Sequence, residues 1–199
     1  MTVAVIIMYD LRMGRWQPDA RGRLETAAME LYRERGFDST TVAEIAERAG
    51  LTERTFFRHY ADKREVLFGG AGILEELLVN KAVGAAAAEP PMDAIVTVLC
   101  EVATELFDER REFARQRQLI ISANAELRER ELIKLASLSS ALAGALRERG
   151  VSEPGASLAA ESGIAVFKIA FERWTSDAGE RPLAHFIRES MTELRAVTA

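Results

Sequence analysis

Residues Thr40–Lys63 read TTVAEIAERAGLTERTFFRHYADK, and this stretch decides the fold. Thr40 or Thr41 caps a short helix, with Glu44 three residues after Thr41 completing a capping box. Val42, Ile45, Ala46 and Ala49 form its inward face. Gly50 supplies the turn and Leu51 fills the space behind it. Thr52 then caps a second short helix. Phe56 and Tyr60, four apart, share one face of that helix and turn inward. The opposite side carries Glu53, Arg54, Thr55, Phe57, Arg58 and His59. Two helices joined by a glycine turn, the second presenting polar, basic and aromatic side chains, fit a helix-turn-helix. In that motif the second helix lies in the DNA major groove.

Upstream, Leu24, Ala27, Ala28, Leu31 and Tyr32 make one helical stripe, opened by Pro18-Asp19 and stopped by Gly36 in the position of a C′ glycine. Phe37 folds back as a core plug. Arg21 and Arg23 are either phosphate contacts or surface charge. Val3 to Met8 is an apolar run of six. It is too short for a membrane span or a signal-peptide core, so residues 1–15 are expected to be a disordered arm.

The helix ending in RERGF and the run TTVAEIAERAGLTERTFFRHYADKREVL resemble the N-terminal DNA-binding domain of the TetR family of bacterial transcriptional regulators (TetR/AcrR type). The match spans about 50 residues at fixed offsets, and the trailing T-F-F-R-H-Y-x-D-K-x-x-V-L makes it specific. The resemblance implies that Glu53, Arg54 and Thr55 face bases, that Arg58 and His59 flank the groove, and that Lys63 meets a phosphate. Thr41, Thr52 and Phe57 complete the DNA-facing candidates. Where the family often has Tyr, Phe57 lacks the phenol hydroxyl and offers only apolar contact, for instance to a thymine methyl. Glu53 either accepts from a cytosine amino group or serves the helix dipole. Arg54 has the fork that reads guanine, and Arg58 is divided between phosphate and base.

Downstream, the pattern continues as helices. The fourth is expected to run from its cap at Asp62 through about residue 88, linking the two halves, with Gly69, Gly70 and Gly72 as a weak point inside it. Glu89-Pro90-Pro91 is a break. A fifth helix shows Ile95, Val98, Leu99, Val102, Ala103, Leu106 and Phe107 at intervals of 3 and 1. The run DERREFARQR (108–117) is either a solvated charged face or an anion site. Longer helices follow from Asn124, from Pro154 and from Pro182. The expected fold is therefore all-α with about nine helices. A helix-turn-helix domain occupies 16–63, and an effector-binding and dimerisation domain occupies 64–199.

Function follows from the same reading. One helix-turn-helix reads few base pairs, so two copies on a palindrome are expected. By resemblance the last two helices build the homodimer, with Phe171, Trp174, Phe186, Ile187, Met191 and Leu194 as interface candidates. A pocket for a small apolar or amphipathic effector is expected between facing apolar helices, lined by Leu99, Val102, Phe107, Phe113, Ile120 and Phe167. The resemblance implies a repressor released from operator DNA by that effector. The alternative is an architectural or cell-division DNA-binding factor that needs no small molecule, favoured by a closed, fully packed second core.

Charge sets a limit on the DNA contact. The net charge is −5, with 11 Lys and Arg against 10 Asp and Glu over residues 12–70, and 15 against 20 over 71–199. DNA contact must come from a few well-placed side chains rather than a basic field. The lone Cys100 cannot form an internal disulfide, which suits the cytoplasm. No nucleophile–base pair, phosphate-cradling glycine loop or metal-ligand spacing is present. No enzyme, cofactor, metal or membrane role is therefore expected.

Overall fold

The capping box expected at Thr41 is present in the computed structural model, which describes residues 20–85 and 88–199. Thr41 Oγ1 accepts from Glu44 N at 3.2 Å, and Glu44 Oε2 accepts from Thr41 N at 2.8 Å. Nine α-helices occur among the described residues: α1 (Ala20–Arg35), α2 (Val42–Arg48), α3 (Glu53–His59), α4 (Ala71–Gly84), α5 (Pro91–Leu106), α6 (Arg111–Ala123), α7 (Ala125–Glu148), α8 (Gly155–Ser176) and α9 (Leu183–Thr198). Two 3-10 turns, Glu65–Phe68 and Asp108–Arg110, complete the regular structure, and no strand occurs among the described residues. The fold is all-α. The arm expected over 1–15 and the Pro18-Asp19 helix start lie outside the described residues.

The first core gathers the stripe of α1, the inward faces of α2 and α3, and the plug Phe37. The Tyr32 and Phe37 rings meet edge to face at 5.2 Å. Gly36 adopts φ 85°, the left-handed conformation that ends α1 at little cost. This core does not close at residue 63. Val66, Leu67 and Phe68 belong to it, and Ile121 and Leu127 enter it from α6 and α7.

The linking helix is also shorter than the pattern suggests. Asp62 Oδ1 accepts from Arg64 N (2.8 Å) and Glu65 N (3.2 Å), which starts a 3-10 turn instead of α4. The glycines then separate that turn from α4. A Cβ on Gly69 would stand 2.5 Å from Glu25 Oε1 and 3.1 Å from the Tyr60 hydroxyl. Gly69 therefore marks a close approach between segments, not a bend within a helix.

The second core is built by α4–α9. In α5 the 3-and-1 spacing buries Ile95, Val98, Leu99, Val102 and Ala103 on one side. Helix α8 crosses close against it, since a Cβ on Gly163 would clash with Ile95 Cγ2. Phe107, Phe167, Phe171 and Trp174 form one aromatic cluster, with centroids 5.6–6.3 Å apart.

These contacts place the interface candidates within the chain. Trp174 (1% exposed), Phe186, Ile187 and Met191 are buried in their own core, with Phe171 and Leu194 packed against it. The largest apolar side chains lose most water-exposed area there, so they are spent within the chain. The outward apolar residues of α8 are Leu158 and Ile169, 64% and 51% exposed.

Candidate nucleic-acid interface

The recognition element is assembled from the turn outward. Gly50 at φ 65° turns the chain between α2 and α3, and Leu51 N donates to Ala46 O at 2.8 Å. Thr52 caps α3 by accepting from Thr55 N at 3.2 Å. Phe56 is fully buried and Tyr60 nearly so, their rings 5.7 Å apart, and together they anchor the inner face of α3. The Tyr60 hydroxyl donates to Glu25 (2.8 Å) and accepts from Arg21 Nε (3.3 Å). Burial first, then the Glu25 carboxylate, pushes that phenol up and keeps it neutral.

This anchoring turns the other side of α3 out. Glu53, Arg54, Arg58 and His59 are exposed, and Phe57 is 55% exposed with its edge on Phe56. Glu53 and Arg54 have no side-chain partner among the described residues. Arg58 Nη2 lies 3.5 Å from His59 Nε2, the outer limit of a hydrogen bond.

The remaining candidates hold the motif together. The Thr41 hydroxyl is used in its capping box. Thr55 is partly buried, with its hydroxyl 3.1 Å from that of Thr52. Lys63 departs most from expectation. Its ammonium donates to Phe37 O (2.8 Å), Thr40 O (2.9 Å) and Asp38 O (3.3 Å), and lies 4.4 Å from the Phe37 ring centroid. All three donors are taken up by carbonyls of the α1–α2 loop, so Lys63 is placed as a loop tie and not as an outward phosphate contact.

Several other cations of this module are paired as well. Arg48 bridges Glu30 and Glu34, and Arg35 bridges Glu44. Arg21, one of two possible phosphate contacts near the start of α1, donates to Gly69 O. On α1, Arg33 stays exposed and Arg23 Nε is buried without a hydrogen-bond partner, so α3 is not alone in leaving cations over, but it presents Arg54, Arg58 and His59 together on its outward face.

The effector candidates do not line one cavity. Leu99, Val102 and Phe167 are buried in the second core with Phe107 at its edge. Phe113 is 37% exposed beneath the Arg110 guanidinium, and Ile120 packs against the first core. Two clefts lie on the outside of the second module. One of about 450 Å³ is lined by Arg173, His185, Arg188, Glu189, Thr192 and Glu193. The other, about 170 Å³, is lined by Ser139, Ser140, Ala143, Arg147, Ser157 and Glu161. Both are polar. Among the described residues no group of three or more His, Cys, Asp or Glu could hold a metal ion. No helix among them is long and apolar enough to cross a membrane.

In the basic run 110–117, Arg110 is exposed over the Phe113 ring, whereas Arg111, Arg115 and Arg117 are turned to carbonyls of the chain. Arg111 and Arg115 donate to carbonyls at the C-terminal end of α8. Arg117 donates to Leu67 O at the margin of the first core. Sequence reasoning missed these roles because the acceptors are backbone oxygens 50–68 positions away. The one local signal is that 111 and 115 share a helix face while 117 and 121 share another.

Comparison with known proteins agrees with this geometry. Residues 25–68 match the model for bacterial regulatory proteins of the tetR family, and residues 89–199 match the MftR C-terminal domain of TetR-type regulators. The HTH-type transcriptional regulator TcmR of Streptomyces glaucescens is 36% identical over 75 residues, 38% of this chain and 33% of that protein. The chain spans about a third of the length of the curated relatives it matches. SmeT, the repressor of the Stenotrophomonas maltophilia multidrug efflux pump SmeDEF, superposes with a TM-score of 0.57 at 19% identity, over 89% of each chain. FadR of Bacillus subtilis, solved with stearoyl-CoA, superposes with a TM-score of 0.57 at 18% identity, over 87% of this chain and 96% of that one.

Proposed function

The chain belongs to the TetR family of DNA-binding transcriptional regulators, and from that premise we propose that it is a repressor that binds a palindromic operator as a homodimer and leaves it when a small apolar or amphipathic effector binds. One observation carries the DNA reading. Helix α3 is pinned by Phe56 and Tyr60 and presents Glu53, Arg54, Phe57, Arg58 and His59, of which Arg54 has no internal partner among the described residues. An unpaired guanidinium held on a rigid helix is preorganised for a bidentate contact with guanine.

The homodimer joins the outward faces of α8 and α9, centred on Leu158, Ala165 and Ile169, rather than the buried aromatic ridge. The effector belongs in the second module. FadR shares this fold and was solved with stearoyl-CoA, which is the ground for naming an amphipathic ligand class. The effector acts only through a difference in affinity for the DNA-bound and released states.

Selection of bound DNA from genomic fragments with the purified protein tests the reading. An enriched inverted repeat, bound by a species that sizes as a dimer, is the expected outcome. A strict monomer at micromolar concentration, or no enriched sequence, overturns it.

The reading without a small molecule is favoured by one observation. The apolar candidates Leu99 and Val102 are each 1% exposed in a packed core, and both clefts are polar. Thermal shift with an acyl-CoA series separates the two. A rise in the unfolding midpoint with chain length supports the effector, and no shift across the series supports the architectural role.

A further inference from the structure

Helix α6 is gripped at both ends. At about 100° per residue, Arg111 and Arg115 fall on one face near its start, whereas Arg117 and Ile121 fall on another toward its end. Arg111 Nη2 donates to Trp174 O (2.8 Å) and Asp177 O (2.7 Å), and its guanidinium lies 5.5 Å from the Trp174 ring centroid. Arg115 donates to Thr175 O (2.8 Å) and Asp177 O (2.9 Å). Two arginines thus satisfy the orphan carbonyls at the C-terminal end of α8, where the helix dipole also favours positive charge.

The other end holds the DNA-binding module. Arg117 Nε donates to Leu67 O at 2.7 Å, its guanidinium lies 5.0 Å from the Phe68 ring centroid, and Nη1 pairs with Glu131 at 3.3 Å. Ile121, fully buried, sits in the first core beside Leu127. Glu65, in the same 3-10 turn, is clasped by Arg130 and Lys134 of α7. The turn Glu65–Phe68 that follows the recognition helix is therefore held by residues of the second module.

We propose that α6 is a strut between the dimer-forming helix α8 and the recognition helix, and that Arg117 is a positioning residue setting the half-site spacing the dimer accepts. The inference rests on the dimeric reading above. Arg117 reaches no base and no phosphate. It fixes the angle at which α3 projects from the dimer face. Removing it leaves the Glu65 ion pairs from α7 and the apolar contacts of Ile121 and Leu127, without the bond from α6 to Leu67 O. Hydrophobic contact is non-directional, so α6 itself then no longer holds the angle.

The test uses the full chain and the operator obtained by selection. The duplexes carry the natural spacer, a spacer one base pair longer or shorter, or a single half-site. One base pair shifts and rotates a half-site by about a tenth of a helical turn. Wild-type protein should bind the altered spacers about tenfold or more weakly, on the scale of one mismatched pair. In Arg117→Met that discrimination should shrink to about threefold or less, with single half-site affinity unchanged. Wild-type discrimination kept in Arg117→Met overturns the proposal. So does an equal loss on the single half-site, which would make Arg117 a support of the DNA module alone. Should Arg117→Met fail to fold, Arg115→Ala carries the same test from the far end of the strut. Relaxed spacing there supports the proposal and unchanged spacing overturns it. Absence of spacing preference in the wild type is a separate result, which sinks the dimeric reading and the strut with it.

Discussion

Arg54 of α3 and Arg115 of α6 look alike in the sequence, each an arginine in a charged run on a short helix. In the fold they are opposites. Arg54 is exposed and has no partner among the described residues. Arg115 donates to two carbonyls 60 and 62 positions away. The first module leaves the cations of its recognition helix outward, and the second uses several of its arginines as internal fasteners. A charge that the fold does not consume is the one available to a ligand, and only tertiary structure tells which charge that is.

The contrast extends to aromatic residues, where the largest effect is expected. Phe57 is turned out on the recognition helix, whereas Trp174 is shut inside the second core. Trp174→Ala should cost about 3–5 kcal/mol of unfolding free energy, the usual penalty for emptying a large buried site. Denaturant midpoints measure it. Subunit dissociation of the folded variant should match that of the wild type. A variant that keeps its stability but falls into monomers would move Trp174 to the interface and erase the contrast.

Arg54→Ala probes the other side. The fold spends nothing on this side chain, so stability should hold within about 0.5 kcal/mol. Operator binding should weaken by about 1–3 kcal/mol with relaxed base preference at one position of each half-site. Competition binding over a set of single-base operator variants gives the comparison. Unchanged selectivity would mean that an unpaired, exposed arginine is not enough to identify a reader.

How much was legible follows from the range of each interaction. The capping box, the Gly50 turn and the Phe56–Tyr60 anchor connect residues within four positions, and the structure has all three. The stripes of α1 and α5 were readable because a buried helix face repeats locally. Lys63 was not readable, because its acceptors are carbonyls of a loop 23–26 residues back. Nor was the start of α4, which depends on Gly69 fitting beside Glu25 and Tyr60. Phe167, Phe171 and Trp174 were visible as large apolar residues of one helix. Their type does not say whether they meet the chain's own core or a second copy.

Within the first module, Thr41 separates holding from reading. Thr41→Ala removes the acceptor for Glu44 N and leaves the Glu44 carboxylate with the backbone half of the box. The expected cost is about 1 kcal/mol of stability, seen as a lower thermal midpoint. Base preference should be unchanged, because the hydroxyl is already used within the motif. A shift in preference comparable to that of Arg54→Ala would place Thr41 among the readers instead.

The smallest effect tests what the two modules share. Each fastens a turn with an aspartate: Asp62 beside Arg64, and Asp177 beside Arg181 and Arg111. The hydrogen bond from Arg64 holds the Asp62 carboxyl below the usual range, and that from Arg181 does the same for Asp177. A depressed carboxylate contributes its stability above the unfolded value, about 3.9 for Asp, and loses it as pH falls through the folded value. The thermal midpoint should therefore stay level from neutral pH to about 5 and decline below about 4. Asp177→Asn should have a lower midpoint at neutral pH and a shallower acid decline, since the group that would be protonated is gone. A midpoint already falling between pH 7 and 6 would show that other groups govern the acid response. The shared fastening by aspartate would then be incidental to stability in both modules.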